Sequence, residues 1–228
     1  MKKALHTNHA HPREDMDCRR RPREVCRKGI YMKITRPIRA ALFDMDGVMV
    51  DSEFVYMKYL LEFAKEKNPA VTMEDITPMV GRSRQDSWTV MERAVNNGET
   101  WETLIKEWAE RDIYSRIDYR KIFRPEMKTT VQELKRRGYT VALVSSTGPK
   151  LISRIVEEVG MRPEFDLIVS GKQFKQSKPN PEIYHYTADT LGIREDECFV
   201  VEDSTVGIEA AYRAGMSIAG LKDDRFGF

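Results

Sequence analysis

Ile38-Arg39-Ala40-Ala41-Leu42-Phe43-Asp44-Met45-Asp46-Gly47 sets a short apolar run directly against two carboxylates and a turn-making glycine. An apolar run of this length closed by a polar turn reads as a buried strand, Ile38–Phe43, with both acids just past its carboxyl end. Four more such runs follow at Thr140–Val144, Leu167–Val169, Cys198–Val201 and Ser217–Leu221. Helical patterns lie between them. Pro125 opens one that stops at Gly138, Pro149 sits early in one that stops at Gly160, Pro181 opens one ending at Gly192, and Ser204 precedes one ending at Gly215. Proline in the first turn and glycine just past the last mark helix boundaries, so both ends of each element are signposted. Alternating strands and helices predict an α/β fold, a Rossmann-like parallel sheet joined by crossover helices.

About ninety residues separate the first two strands, far more than one crossover needs. They hold helical patterns at Ser52–Lys67, Ser83–Asn97 and Thr100–Ile117, with Asn97-Gly98 as a break, and no clear strand. An inserted α-helical domain is expected over 52–120, with the sheet-bearing core formed by 32–51 and 121–228.

The 228-residue composition is that of a globular protein with room for these two units. Residues 1–30 carry nine Lys or Arg against four Asp or Glu, whereas residues 31–228 carry 29 against 32. The basic excess therefore belongs to a tail. Residues 1–31 read as a disordered basic extension, and Met32, just before the first strand, as an alternative start. Arg19-Arg20-Arg21-Pro22-Arg23 would suit an acidic surface, but such a run is more commonly a solvated tail, so no nucleic-acid partner is expected. His6, His9 and His11 in the same tail could bind a metal loosely, but spaced histidines in such a tail more commonly do nothing. No apolar run approaches the roughly 18 residues that cross a bilayer, so no membrane association and a cytoplasmic location are expected. Three cysteines without a pairing pattern agree, Cys198 reading as a small buried residue. After Leu221 no helical pattern remains, as though a closing element were missing, and a monomer is expected.

Ligands of a parallel α/β sheet sit at the carboxyl ends of its strands. Four polar groups fall there: Asp44-Met45-Asp46-Gly47, Ser145-Ser146-Thr147-Gly148, Lys178-Pro179 and Glu202-Asp203-Ser204. Singly, each has a plain reading: a solvated turn, a surface lysine, or a helix cap at Ser145 or Ser204. Jointly they suit phosphoryl transfer, which needs a nucleophile, neutralisation of the equatorial oxygens and a proton for the leaving oxygen. Asp44 can attack phosphorus through its carboxylate and form an aspartyl phosphate. Asp46 can serve as general acid and then general base. Crowded carboxylates imply a cation, and oxygen ligands without His or Cys favour Mg2+. Asp44 and Asp203 are the expected carboxylate ligands, with Glu202 beside or just behind the ion and the Asp46 carbonyl as a further donor. Lys178 would offset negative charge, while Ser145, Ser146 and the Gly47 turn would hold phosphoryl oxygens.

These residues resemble the four ordered motifs of the haloacid dehalogenase superfamily: Phe43-Asp44-Met45-Asp46-Gly47-Val48, Ser145, Lys178-Pro179 and Val201-Glu202-Asp203-Ser204. The resemblance implies Asp44 as nucleophile, Asp46 as acid and base, Ser145 as phosphate ligand, Lys178 as charge-neutralising lysine and Asp203 as metal ligand. It makes the inserted helices the cap of the β-phosphoglucomutase-like branch, and the second aspartate excludes the dehalogenases themselves. Gly81-Arg82-Ser83-Arg84 is similar to the substrate-facing loop of β-phosphoglucomutases, which implies that Gly81, Ser83 and Arg84 meet substrate, with Arg84 gripping a phosphate that is not transferred. The plain alternative is a Ser83 helix cap with solvated arginines. Tyr56 and Val80 stand where those mutases carry histidine and lysine. The expected activity is therefore a magnesium-dependent phosphatase acting on a sugar phosphate or another small phosphorylated metabolite, with a β-phosphoglucomutase as the alternative.

Overall fold

The structure is a computed structural model that describes residues 37–80 and 84–221, together with the backbone of 24–27 and 30–33. Within the expected tail, β1 (Glu24–Arg27) pairs antiparallel with β2 (Ile30–Lys33). Part of the stretch read from the sequence as a disordered extension thus carries these two strands. The sequence carries a hairpin signal that its charge obscures, because β-prone Val25 and Ile30-Tyr31 flank an X-Gly pair, Lys28-Gly29.

The main sheet has five parallel strands in the order β5-β4-β3-β6-β7, formed by β3 (Ala40–Phe43), β4 (Thr140–Ser145), β5 (Leu167–Ser170), β6 (Cys198–Glu202) and β7 (Ser217–Gly220). All five runs read from the sequence are strands. The chain builds β3, β4 and β5 outward on one side, then returns to lay β6 and β7 on the other side of β3. The direction of winding reverses at β3, and ligand crevices of such sheets open at that reversal.

Side chains of successive strand residues face opposite sides, and both sides are buried. Ala41, Phe43, Val141 and Leu143 join a core with Met127 and Val131 of α6 (Pro125–Arg136) and Ile152, Ile155 and Val156 of α7 (Pro149–Glu158). Ala40, Leu42, Ala142 and Val144 join another with Ile183, Tyr184 and Ala188 of α8 (Glu182–Leu191) and Ala210 and Ala211 of α9 (Thr205–Arg213). Cys198 lies buried in this second layer, as expected.

Between β3 and β4 run α1 (Ser52–Lys67), α2 (Met73–Ile76), α3 (Arg84–Val95), α4 (Trp101–Ala109) and α5 (Ile113–Arg116). They enclose an apolar cluster of their own around Leu60, Phe63, Trp88, Met91, Leu104 and Trp108. The single helix expected over Thr100–Ile117 is two, because Asp112 takes φ 43° and ψ 51°. A left-handed residue cannot continue a right-handed helix, and aspartate adopts that conformation without the glycine or proline that marks a break. No helix is expected from the sequence at the short α2, which Thr72 and Asp75 start with a capping box, the Thr72 N–H donating to the Asp75 carboxylate at 2.8 Å.

The two chain crossings between these helices and the sheet run side by side. The Asp51 N–H donates to the Ile122 carbonyl at 2.8 Å and the Arg124 N–H to the Met49 carbonyl at 3.0 Å, around a bridge between Val50 and Phe123. Among the described residues no helix is long and apolar enough to cross a membrane.

Candidate active site

Register brings the acids together. Phe43 is level with Val201 across β3 and β6, so Asp44 emerges beside Glu202, and the Asp44 N–H donates to the Val201 carbonyl at 3.0 Å. Lys178, reaching in from the segment before α8, satisfies its three ammonium protons on Asp44 Oδ1 at 2.6 Å, Glu202 Oε1 at 2.5 Å and the Val144 carbonyl at 3.1 Å. Glu202 is fully buried. Its Oε1 also accepts from the Tyr184 hydroxyl at 2.9 Å, and its Oε2 from the Ser204 hydroxyl at 3.0 Å. Ser204 in turn caps α9, accepting from the Gly207 N–H at 3.1 Å, so the plain helix-cap reading of Ser204 holds together with a structural task at Glu202.

Two glycines make this packing possible. Gly47 sits at φ +75°, and a Cβ on it would lie 1.7 Å from Asp203 Oδ2. A Cβ on Gly207 would lie 1.9 Å from Glu202 Oε1. The first glycine serves both the turn and the close approach of Asp203; the second opens the start of α9 to a carboxylate.

Asp44, Glu202 and Asp203 each place a carboxylate oxygen within 4.8 Å of the others. Burial raises the Asp44 pKa well above the usual carboxylate range; Lys178 pulls it down, and Glu202 and Asp46 push it further up. Burial also works against charge on Lys178, but Asp44, Tyr184 and Glu202 outweigh it and hold the ammonium protonated. One cation thus serves two buried carboxylates, which leaves Asp44 short of compensation. Burial, then Glu53 and Glu202, push Asp203 up to about 7. A further cation would relieve both acids, and an all-oxygen donor set suits a hard divalent ion such as Mg2+. Glu202 has both oxygens occupied by Lys178, Tyr184 and Ser204, which suits it to stand behind such an ion.

Asp46 lies outside that cluster. Its Oδ1 accepts from Ser52 at 2.7 Å and its Oδ2 from the Thr147 hydroxyl at 2.8 Å, with the Ser145 hydroxyl at 3.5 Å. The metal donor left to it is its main-chain carbonyl. Ser145 is buried at the end of β4 and accepts from the Thr147 N–H at 3.0 Å, while Ser146 is exposed beside it. A cavity of about 340 Å³ opens above Asp46, and its walls include Thr147 from the sheet side and Tyr56, Val80, Arg84 and Tyr114 from the helical side. Arg84 thus faces the same space as Asp46. Gly81 and Ser83 lie outside the described residues. His185 is partly exposed on α8, its Nδ1 3.0 Å from Glu195 Oε1 and away from the acids.

Sequence reasoning missed Ser52, Thr147 and Tyr184 as partners of the acids. Thr147 stands two residues after Ser145 in Ser-Ser-Thr-Gly and was within reach of the strand-end argument. Ser52 reads only as the first residue of a helical pattern, and nothing in the sequence connects Tyr184 with Glu202.

The chain matches the family model described as haloacid dehalogenase-like hydrolase over residues 41–221. It is 28% identical over 195 residues to a phosphoglycolate phosphatase of Photorhabdus laumondii, covering 83% of this chain and 82% of that protein. Over 181 residues it is 26% identical to a phosphorylated carbohydrates phosphatase of Thermotoga maritima, covering 78% and 82%. A β-phosphoglucomutase structure from Clostridium difficile shares the fold, with a TM-score of 0.61 at 22% identity and 82% and 86% of the two chains covered. With the strand-end acids, the buried lysine and the match over most of its length, the chain belongs to the haloacid dehalogenase-like hydrolases.

Proposed function

We propose that the protein is a magnesium-dependent phosphatase that hydrolyses a sugar phosphate or another small phosphomonoester through an aspartyl-phosphate intermediate. The observation that carries this reading is the division of labour between two aspartates two residues apart. Asp44 is locked onto Lys178 in the buried carboxylate cluster, while Asp46 turns into the cavity on hydrogen bonds from Ser52 and Thr147. A nucleophile needs a fixed lone pair and a nearby positive charge; an acid and base needs access to the leaving group.

In this reading Asp44 attacks phosphorus in line, and Asp46 donates its proton to the leaving oxygen. Asp46 then takes a proton from the water that attacks the aspartyl phosphate, which releases inorganic phosphate and restores both acids. Lys178 keeps the Asp44 carboxylate oriented, and Ser145 with the neighbouring N–H groups steadies phosphoryl oxygens. Asp44, Asp203 and the Asp46 carbonyl would hold Mg2+, which supplies charge neutralisation at the phosphoryl group. Residues 52–120 act as a cap over a core of 32–51 and 121–228, and Ser52 links the acid–base group to the start of α1.

The relatives named as phosphatases support hydrolysis. So does the cavity wall, where Tyr56 and Val80 replace the histidine and lysine that the mutase resemblance implies. Arg84 on that wall favours the second reading, a β-phosphoglucomutase, because it could grip a second phosphate. Turnover of a panel of sugar phosphates with Mg2+ separates the two, including β-glucose 1-phosphate with a bisphosphate primer. Release of inorganic phosphate is the expected result; glucose 6-phosphate formed without release would establish the mutase instead.

Metal binding should depend on pH. With Asp203 raised to about 7, roughly a tenth of it is ionised at pH 6 and nine tenths at pH 8. An ion that needs the carboxylate should bind about tenfold more weakly at pH 6 than at pH 8. The same shift makes the metal-free fold lose stability as pH rises from about 4 to about 7, because over that window the folded state holds the proton and the unfolded state does not. Calorimetric titration with Mg2+ at the two values checks this, and equal affinities would remove Asp203 from the site.

A further inference from the structure

Tyr114 combines two properties that seldom go together, exposure and rigidity. The residue is 46% exposed, and it lines the cavity above Asp46. Its ring stacks on Tyr56 with centroids 5.8 Å apart and planes 19° apart. Tyr56 is itself pinned, its hydroxyl accepting from Trp108 Nε1 at 2.9 Å and its ring meeting the indole edge-on at 5.5 Å.

The backbone beneath Tyr114 is held from the other unit. Arg154, on α7 of the sheet core, donates to the carbonyls of Tyr114 at 3.2 Å, Ser115 at 3.3 Å and Ile117 at 3.3 Å. These carbonyls end a single-turn helix, which leaves its last acceptors without internal partners. Arg154 is braced by Glu158 at 3.6 Å, and Glu158 accepts the Tyr119 N–H at 3.1 Å. The left-handed Asp112 turns the chain just before this clamp. The segment is therefore fixed on both sides of an aromatic ring that the fold leaves half open.

We infer that Tyr114 determines leaving-group specificity, offering its ring as a stacking surface to the sugar ring of a compact phosphomonoester, with Arg154 as its positioning residue. The inference rests on the phosphatase reading for the term "leaving group" and deepens it by naming the group. Aromatic rings gain contact area with little loss of side-chain freedom, which suits them to flat apolar faces such as the C–H face of a pyranose. A cavity of about 340 Å³ lies at the small end of ligand sites and has room for one sugar ring. Met57, Leu60 and Ile117 add apolar surface to a wall that also holds Ser52, Glu53 and Ser87. An ester with no ring would satisfy the acids below and leave Tyr114 untouched.

The test compares glucose 6-phosphate with phosphoglycolate, each titrated with Mg2+ into the full chain carrying Asp44→Asn, which holds substrate without turning it over. Adding Tyr114→Ala should weaken glucose 6-phosphate about tenfold, as expected for loss of one stacking contact, and leave phosphoglycolate within twofold. Tyr114→Phe, which keeps the ring, should restore the parent affinity and so control for folding. Arg154→Gln should reproduce the selective loss without touching the cavity. Equal weakening of both esters, no change for glucose 6-phosphate, or failure of glucose 6-phosphate to bind at all would overturn the inference. The phosphatase reading fails separately: selective binding with no phosphate released by the Asp44 protein would sink hydrolysis and leave the specificity role standing.

Discussion

Asp44→Asn is expected to abolish turnover, lowering kcat by on the order of 10⁴-fold or more while leaving the fold and ester binding intact. An amide has nearly the shape of the carboxylate but lacks the anionic oxygen that must bond to phosphorus. The loss should therefore fall on kcat. The surroundings make the substitution well tolerated: Lys178 keeps Glu202 and the Val144 carbonyl as acceptors, and the amide oxygen can still accept from it. Removing a buried negative charge also relieves the repulsion from Glu202 and Asp46 that helps raise the Asp44 pKa. The thermal midpoint should hold or rise. Phosphate release measured with Mg2+, alongside mass spectrometry for a phosphorylated Asp44 in the parent protein, decides it. Activity that survives the substitution would sink the covalent mechanism, whatever the family.

The sheet was legible because its strands are short apolar runs and its helices are bracketed by proline and glycine, signals that act locally. The helical insertion was legible only by elimination, as a connection too long for one crossover, and its interior was read less well. Asp112 breaks a helix by adopting a left-handed conformation that no local residue type announces. The hairpin at Glu24–Lys33 was hidden because the charge of the segment outweighed its weak β signal.

Of the candidate site, the acids and Lys178 could be placed because the carboxyl ends of parallel strands converge by topology alone. Their relative depth could not. Nothing in the sequence says that Glu202 is fully buried and used up by Lys178, Tyr184 and Ser204, or that Asp46 turns away from Asp44 toward Thr147. Those facts depend on strand register and on two glycines, Gly47 and Gly207, that let carboxylates approach backbone. Tyr114 escaped for the opposite reason: its importance lies in a contact from Arg154, forty residues later, that no motif encodes.

Lys178→Met tests the other half of the arrangement. The substitution keeps the length and apolar stem of the side chain and deletes the one ammonium between two buried carboxylates, Asp44 and Glu202, which are 7% and 0% exposed. Breaking a buried ion pair from one side costs about 3–5 kcal/mol, since the remaining charge keeps its desolvation penalty and loses its partner. For a chain of this size that corresponds to a drop of roughly 6–20 °C in Tm. Asp44 can escape part of the cost by taking up a proton, because its pKa is already raised by burial and loses the opposing pull of Lys178. A carboxyl group with a raised folded pKa holds its proton in the folded state over a window where the unfolded state has released it, so stability falls as pH rises through that window. The deficit of Lys178→Met relative to the parent should therefore be small near pH 5 and large near pH 8. Glu202→Gln offers the contrast: it removes one of the two negative charges, leaves Lys178 paired with Asp44, and keeps an oxygen for Tyr184, so its cost should be smaller and its pH dependence weaker. Thermal melts of the three proteins across pH 5–8 measure both effects, and a Lys178→Met deficit that is under about 1 kcal/mol or flat with pH would mean that the two acids are neutralised by something other than this lysine.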